Sequence, residues 1–413
     1  MNFTETDEQR ALRAAVAELG GKYGHSYFLK QARTGGRLTE LWQETGRLGF
    51  LGVNLPASYG GGGAGLYELS LVLEELAAAG CGLLMMVVSP AICGTIIARF
   101  GTGAQKQYWL PRLASGSSIM AFAITEPDAG SNSHKLTTVA ARDGGAWVLN
   151  GRKIYISGVD EAEAVLVVGR TADARTGKLR PALFAVPTDT PGFSYRPLEM
   201  DIVAPEKQYL LFLDDVRLPA DALIGDESAA LLQLFAGLNP ERIMAAAMAV
   251  GSGRYALGQA VGYARERAVW DVPIGAHQGV AHPLAQVKIE LELARLMMQK
   301  AATLYDAGDD MAAGEAANMA KYASAEASIR AVDQAVQTLG GSSMTAELGL
   351  AAMLASVRAV DQAVQTLGGS SMTSELGLAA MLASVRTTRI APVSREMILN
   401  FVAQHSLGLP KSY

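Results

Sequence analysis

Residues 147–169 read WVLNGRKIYISGVDEAEAVLVVG. Two apolar runs, WVLNGRKIYIS and AVLVVG, are bounded by turn residues, which is the signature of strands. ALFAVP at 182–187 and YLLFLDDVRLP at 209–219 repeat it, so a small β domain extends from about Ile119 to about Leu223. Before it, Leu12, Ala15, Val16 and Leu19 share one face at helical spacing behind Thr4 and an acidic first turn. Leu41–Leu51 reads as a second helix, ending at Gly52 and Pro56. From Leu231 onward the chain is again helical, rich in Ala, Leu and Met. Strands and helices do not alternate and no GxGxxG follows a strand, so a doubly wound nucleotide-binding fold is disfavoured. The expected class is α+β, with an all-α domain over 1–118, a central β domain over 119–225 and a helical domain over 226–413.

The 413 residues are 50% hydrophobic and 18% charged, which excludes a disordered chain and leaves ample core. A net charge of −5 with no basic cluster argues against nucleic acid as a partner. Cys81 and Cys93 form neither a disulfide framework nor a metal-ligand spacing, and the acidic N-terminus MNFTETDEQ lacks the pattern of a signal peptide. A reducing, cytoplasmic setting is the expectation. Leu76–Ala98 carries 23 residues without a formal charge, long enough for a bilayer. Gly80, Gly82, Ser89, Pro90 and Gly94 interrupt it, so buried helices broken at Pro90 are expected instead of a membrane span.

Ala331–Arg358, AVDQAVQTLGGSSMTAELGLAAMLASVR, recurs at once as Ala359–Arg386, with Ala346 against Ser374 as the one difference. Two nearly identical, isolated units are a tandem duplication rather than a solenoid. Without the extra 28 residues the chain is 385 long. The first copy is expected to dock, because extra chain leaves more easily after Arg358 than inside a helix near Arg330.

Several segments offer chemistry. MAFAITEPDAGSN at 120–132 gathers Thr125, Glu126, Pro127, Asp128, Gly130 and Ser131 in a turn at the entry of the β domain. Short oxygens and N–H groups beside glycine suit a flavin or a phosphate; an ordinary polar turn has the same composition. NGRKIYISG at 150–158 places Tyr155 and Ser157 on one strand face, suited to a flat ring, or equally a half-buried strand. Tyr59–Gly63 is glycine-rich but lacks the Lys-Ser/Thr of a phosphate loop and reads as a plain loop. In LNPERI at 238–243, Asn239 reads as an N-cap, Pro240 as the first helical position and Glu241 as a first-turn carboxylate. The helix dipole there would lower its pKa, so a basic Glu241 would need burial. His277, His282 and His405 form no metal pattern and no serine sits in a nucleophile elbow, so no metal is expected.

Taken together, LGFLGVNLPASYGG, AITEPDAGSNS, LNGRKIYISG, FLDDVRLP, GLNPERI, RERAVWDVPIGAHQGVAHPLA and QTLGG resemble, in order, the acyl-CoA dehydrogenases. The resemblance implies an α domain, a β domain and a C-terminal four-helix bundle, with FAD as cofactor and a place in fatty acid metabolism. It implies flavin contacts from Phe122, Ile124, Thr125, Ser131, Tyr155, Ile156 and Ser157, with Ser131, Asn239 and Arg242 near the substrate. It further implies that Arg267, His277, Gln278 and the QTLGG segments (Gln337, Gly340 and Gly341, or Gln365, Gly368 and Gly369), with Ser394, reach FAD. Several of these act from another subunit, so a homotetramer or homodimer is implied, passing electrons to an electron-transfer flavoprotein.

Many members of that family carry their base in an IYEGT motif, which falls here on Ile390–Ser394 with Pro392 in place of glutamate. A second group, resembling isovaleryl- and long-chain-type enzymes, places it in an Glu-Arg pair on the first bundle helix, matched by Glu241-Arg242. The implied reaction has Glu241 remove the thioester α proton while the β hydrogen leaves as hydride to flavin N5. Pro392 has no N–H to polarise the carbonyl, and losing one such donor costs on the order of 10²–10³ in rate. Trp270-Asp271 also departs from the family's Phe-Gly. An oxidase or monooxygenase on the same fold, or a catalytically impaired flavin-binding or assembly protein, are the alternatives.

Overall fold

The computed structural model describes residues 4–130, 132–173, 175–227, 230–269, 271–350 and 353. The first helix, α1 (Asp7–Thr34), is capped by Thr6, not Thr4. The Thr6 hydroxyl accepts from the Gln9 N–H at 3.2 Å, and the Gln9 side chain accepts from the Thr6 N–H at 3.0 Å. It is interrupted at Gly24, where φ is 66°. Next come α2 (Thr39–Arg47), shorter than its expected span, and α3 (Leu66–Ala78).

The uncharged stretch breaks at Gly80–Leu83, not at Pro90. α4 (Leu84–Met86) runs into a π-type segment, Val87–Gly94, that contains Pro90 and continues into α5 (Thr95–Phe100). The widened turn absorbs the missing N–H that would end a regular helix. α6 (Gly103–Ser115) completes the helical part, and among the described residues no helix is long and apolar enough to cross a membrane.

Eight strands follow: β1 (Met120–Ala123), β2 (Val139–Asp143), β3 (Ala146–Ser157), β4 (Ala164–Ala172), β5 (Leu179–Pro187), β6 (Phe193–Pro197), β7 (Gln208–Pro219) and β8 (Leu223–Ile224). Their order is β6-β7-β3-β2-β4-β5-β8, with β1 parallel to β4. The alternation along β4 feeds two cores. Ala164, Leu166 and Val168 pack with Ile92, Ile96 and Leu110 of the helices, whereas Val165 and Val167 pack with Trp147, Phe184 and Leu211. The short strands β1, β2 and β6 were not expected; four or five residues are too few for alternation to register.

The C-terminal part contains α7 (Ala230–Glu266), a hairpin of β9 (Ala268–Val269) and β10 (Val272–Pro273), α8 (Gln278–Asp306) and α9 (Asp310–Leu339). A 3-10 turn, Gly340–Met344, ends the last helix. The described part of the first repeat copy is packed against the other helices. Val332, Ala335, Val336, Leu339 and Leu350 are buried with Ala256, Ala260, Ala264 and Leu284 of α7 and α8. The second copy, with Gln365, Gly368 and Gly369, lies outside the described residues, as do Pro392 and Ser394.

A charged cluster ties the two helical parts. Glu74 and Glu75 of α3 are buried; Glu74 receives Arg13 of α1 at 2.9 Å, Arg254 of α7 at 2.6 Å and Arg295 of α8 at 3.4 Å. Pairing of this kind lets buried carboxylates stay charged.

Candidate active site

The turn after β1 is pinned to β3 by side chains that strand alternation turns inward. Trp147 and Leu149 face the core, and the same inward register puts Lys153 in the interior, fully buried. Its ammonium donates to Glu126 Oε1 at 2.8 Å and to the Ile124 carbonyl at 2.9 Å. Glu126 also accepts from the N–H groups of Thr137 (2.6 Å) and Thr138 (3.0 Å) and from their hydroxyls at 2.7 and 2.6 Å. Burial alone would push this carboxyl up, but Lys153 and the Thr138 and Thr137 donors outweigh it and hold the carboxyl well below its ordinary value. Burial pulls the Lys153 ammonium down, with Glu126 pulling the other way.

One further bond closes the arrangement: the Ile154 N–H donates to the Thr125 carbonyl at 3.0 Å. Between Lys153 and Ile156 the register with β7 shifts, and Tyr155 takes φ of 59°, a costly conformation for an aromatic residue. The bulge moves Tyr155 out of simple alternation, so the expected shared face with Ser157 becomes a pair of half-buried side chains beside a kink. Ser157 meets the Gln208 amide at 2.9 Å. Gly158 has φ of 65°, and a Cβ there would lie 2.6 Å from Met85 Sδ.

This stretch fits a flat ring with heteroatoms at its edge. Thr125 and Ser157 offer half-buried hydroxyls, Tyr155 an aromatic, and Phe122 and Ile156 apolar surface, all on segments bonded to one another. Ser131 and Trp270 lie outside the described residues.

Glu241 is placed differently from its local reading. α7 runs unbroken through this region, so Asn239 is not an N-cap and Pro240 is inside the helix. A proline there leaves the carbonyl four residues earlier without a donor, and that carbonyl, Ala236, accepts from the Tyr305 hydroxyl at 2.8 Å. Asn239 is buried and donates to the Asp310 carbonyl at 3.2 Å, fastening α7 to the start of α9. Arg242 donates back to the Leu238 carbonyl at 3.3 Å. Glu241 is half-buried, and burial pushes its carboxyl up, opposed by the charges of Arg242 and Lys321. The dipole that would have lowered it is absent, because it falls off within the first turn and Glu241 lies beyond that. Three residues before Glu241, Leu238 belongs to the same apolar cluster as Phe122 and Ile124.

The expected site residues therefore separate into two groups. Phe122, Ile124, Thr125, Tyr155, Ile156 and Ser157 lie on β1, the turn after it and β3, and Phe122 and Ile124 share an apolar cluster with Leu238 of α7. Arg267, His277, Gln278, Gln337, Gly340 and Gly341 lie at its far end, about 38 Å along the helix axis from Glu241. There Ile274, just before His277, packs with Ala264, Val336 and Leu339. Arg267 and Gln278 are exposed, and the Arg267 carbonyl accepts from the Ile274 N–H at 2.8 Å; the His277 carbonyl accepts from the Val280 and Ala281 N–H groups; Gln337 is buried and Gly341 faces open space.

Sequence reading missed the roles of Lys153 and Tyr305. A lysine at an inward position of an alternating strand was a readable sign that a buried carboxylate must answer it. Tyr305 gave no sign, since its partner lies 69 residues away.

Comparison with known proteins agrees with this architecture. Family models for the acyl-CoA dehydrogenase N-terminal, middle and C-terminal domains match residues 6–117, 121–216 and 233–360. The chain is 64% identical over 412 residues to acyl-CoA dehydrogenase FadE12 of Mycobacterium tuberculosis, covering 100% of this chain and 99% of that one. Butyryl-CoA dehydrogenase from Megasphaera elsdenii superposes with a TM-score of 0.80 at 26% identity, over 98% of this chain and 100% of its own. A glutaryl-CoA dehydrogenase from Mycobacterium smegmatis, in complex with FADH2, does so at 0.78 and 30% identity, over 92% and 95%. A chain in a structure titled for the electron transferring flavoprotein of Acidaminococcus fermentans reaches 0.81 at 27%, over 94% and 99%. With its helix–sheet–helix architecture and these matches along its length, the chain belongs to the acyl-CoA dehydrogenase family of FAD-dependent oxidoreductases.

Proposed function

We propose that the protein converts an acyl-CoA thioester to the 2-enoyl-CoA, with Glu241 as the base that takes the α proton. The observation that carries this reading is the half-buried Glu241, its carboxyl pushed up by burial, three residues after Leu238 of the apolar cluster that also holds Phe122 and Ile124. A carboxylate with a raised pKa is a stronger base and is matched to proton abstraction near neutral pH. Bound FAD supplies the acceptor for the β hydrogen and its electron pair.

In this reading Thr125, Tyr155 and Ser157 orient the ring system, and Phe122, Ile124 and Ile156 exclude water from it. Ser131 and Arg242 are the side chains assigned to the substrate; Asn239 acts through its bond to the Asp310 carbonyl, holding the turn that bears Glu241. Arg267, His277, Gln278, Gln337, Gly340 and Gly341 serve the FAD of a neighbouring copy, since about 38 Å of helix separates them from Glu241. An exposed apolar stripe on α8, Ile289 (60%), Leu293 (61%) and Leu296 (43%), supports such a homo-oligomer. An electron-transfer flavoprotein is the proposed acceptor of the electrons.

Anaerobic mixing of the FAD-loaded protein with a panel of acyl-CoAs tests the reading through bleaching of the flavin visible band. A matching acyl-CoA should bleach it, and Glu241→Gln should abolish bleaching while retaining FAD. A loaded protein that no acyl-CoA bleaches contradicts the dehydrogenase assignment, and a fully active Glu241→Gln moves the base elsewhere.

A further inference from the structure

We propose that the buried Glu126–Lys153 ion pair is a positioning device for the flavin, setting the spacing between the Thr125 turn and the Tyr155 bulge. The proposal rests on the reading that Thr125, Tyr155 and Ser157 face FAD.

Lys153 is fully buried and Glu126 is 3% exposed. Removing two charges from water is expensive, and a well-packed apolar pair of similar volume would often serve stability as well or better. Stability alone is thus a weak reason for an ion pair here.

The partners of the pair give a stronger one. Lys153 reaches the Ile124 carbonyl and Glu126, which bracket Thr125 on either side. The Thr125 carbonyl itself accepts from Ile154, the residue between Lys153 and Tyr155. Glu126 then takes four more donors from Thr137 and Thr138, anchoring the turn to the chain entering β2. Thr125 cannot shift relative to Tyr155 without breaking several bonds at once. Tyr155, at φ of 59°, needs such over-determined surroundings, because an unconstrained backbone would relax to negative φ. A neutral amide or an alkyl chain at either member cannot satisfy this set. A glutamine offers a single acceptor oxygen to five donors, and a methionine leaves the Ile124 carbonyl without its donor.

The test uses the FAD-loaded protein and compares Glu126→Gln, Lys153→Met, the double variant and Thr138→Val. The last removes one donor to Glu126 while leaving both charges paired. Thermal unfolding reports stability, while FAD release on dilution and the position and fine structure of the flavin visible band report positioning. The expected result is at least tenfold weaker FAD retention and an altered band in every charge variant that folds. Thr138→Val should show a smaller change in the same direction with nearly unchanged thermal unfolding.

Wild-type FAD retention and spectrum in the charge variants, or in Thr138→Val when those do not fold, overturns the proposal. A parallel Thr125→Ala/Ser157→Ala protein separates the two levels. If it too binds FAD unchanged, the placement of the flavin has failed; if it weakens binding while the ion-pair variants do not, the positioning role alone has failed.

Discussion

The Tyr305 hydroxyl donates to the Ala236 carbonyl at 2.8 Å, supplying from α8 the hydrogen bond that Pro240 withdraws from inside α7. That exchange lets a proline sit one residue before Glu241 without ending the helix. Tyr305→Phe removes the donor and leaves the carbonyl buried against an apolar ring. Stability should fall by about 1–2 kcal/mol. Bleaching by acyl-CoA should slow more than that loss implies, because the turn bearing Glu241 is released. Stopped-flow bleaching and thermal unfolding of the same sample check both parts; an unchanged bleaching rate would show that the bond serves stability only.

Burial of Glu241 predicts the acid side of the pH profile. As the proposed base, Glu241 would work only when deprotonated, and its carboxyl is raised from 4.5. The rate of flavin bleaching should therefore climb with pH through a midpoint above 4.5, and Glu241→Gln should lower it by about 10²–10⁴-fold above that midpoint and by less below it. A midpoint at or below the ordinary carboxylate value would contradict the burial argument.

Glu206 carries a second titration. It is buried beside Leu38, Trp42, Leu83, Met85, Ile119 and Glu161, where the helices meet the sheet. Burial first, and then the charge of Glu161, push its carboxyl up to about 7. Because the folded-state value lies above the unfolded one, its contribution is whole below pH 4.5 and is lost as pH rises through about 7. Glu206→Gln should accordingly stabilise the protein above pH 7, by up to about 2–3 kcal/mol, and do little in acid. Thermal unfolding at several pH values measures it, and an equal effect in acid and base would refute this cause.

Deleting residues 359–386 should leave the core intact. The first copy already fills the groove with Val332, Ala335, Val336 and Leu339, and the deletion joins Arg358 to Thr387, the same pair of residue types found at Arg386–Thr387. The expected protein unfolds within a few degrees of the full chain and keeps its FAD. A collapse in stability would mean that the second copy supplies contacts of its own.

Placing charge on the α8 stripe tests assembly. On the proposed homo-oligomer, Ile289→Glu with Leu293→Glu should lower the oligomeric state in sedimentation and, with it, FAD retention, since Arg267 and Gln278 would lose the neighbouring site proposed for them. An unchanged oligomer would move the interface off this face.

The order of helices, sheet and helices was legible because each long element carries its own period. β3, β4, β5 and β7, each nine residues or longer, were found from their apolar runs. β1, β2 and β6, at four or five residues, fell below that limit. Asn239-Pro240-Glu241 was misread for a related reason: Asn-Pro-Glu is a sound local start signal, and only the distant Tyr305 and Asp310 make the uninterrupted helix affordable.

The amino-acid sequence by itself determined the class of fold, the family and the presence of a duplicated 28-residue unit, and it nominated Glu241, since periodicity, motif order and self-similarity need no third dimension. Tertiary structure decided what those residues experience. Burial rather than the helix dipole sets the carboxyl of Glu241, Lys153 finds Glu126 across 27 residues, and the first copy occupies the bundle groove. Each depends on which side chains meet across long separations in a low-dielectric interior, where an unpaired charge or an unanswered carbonyl costs far more than in water.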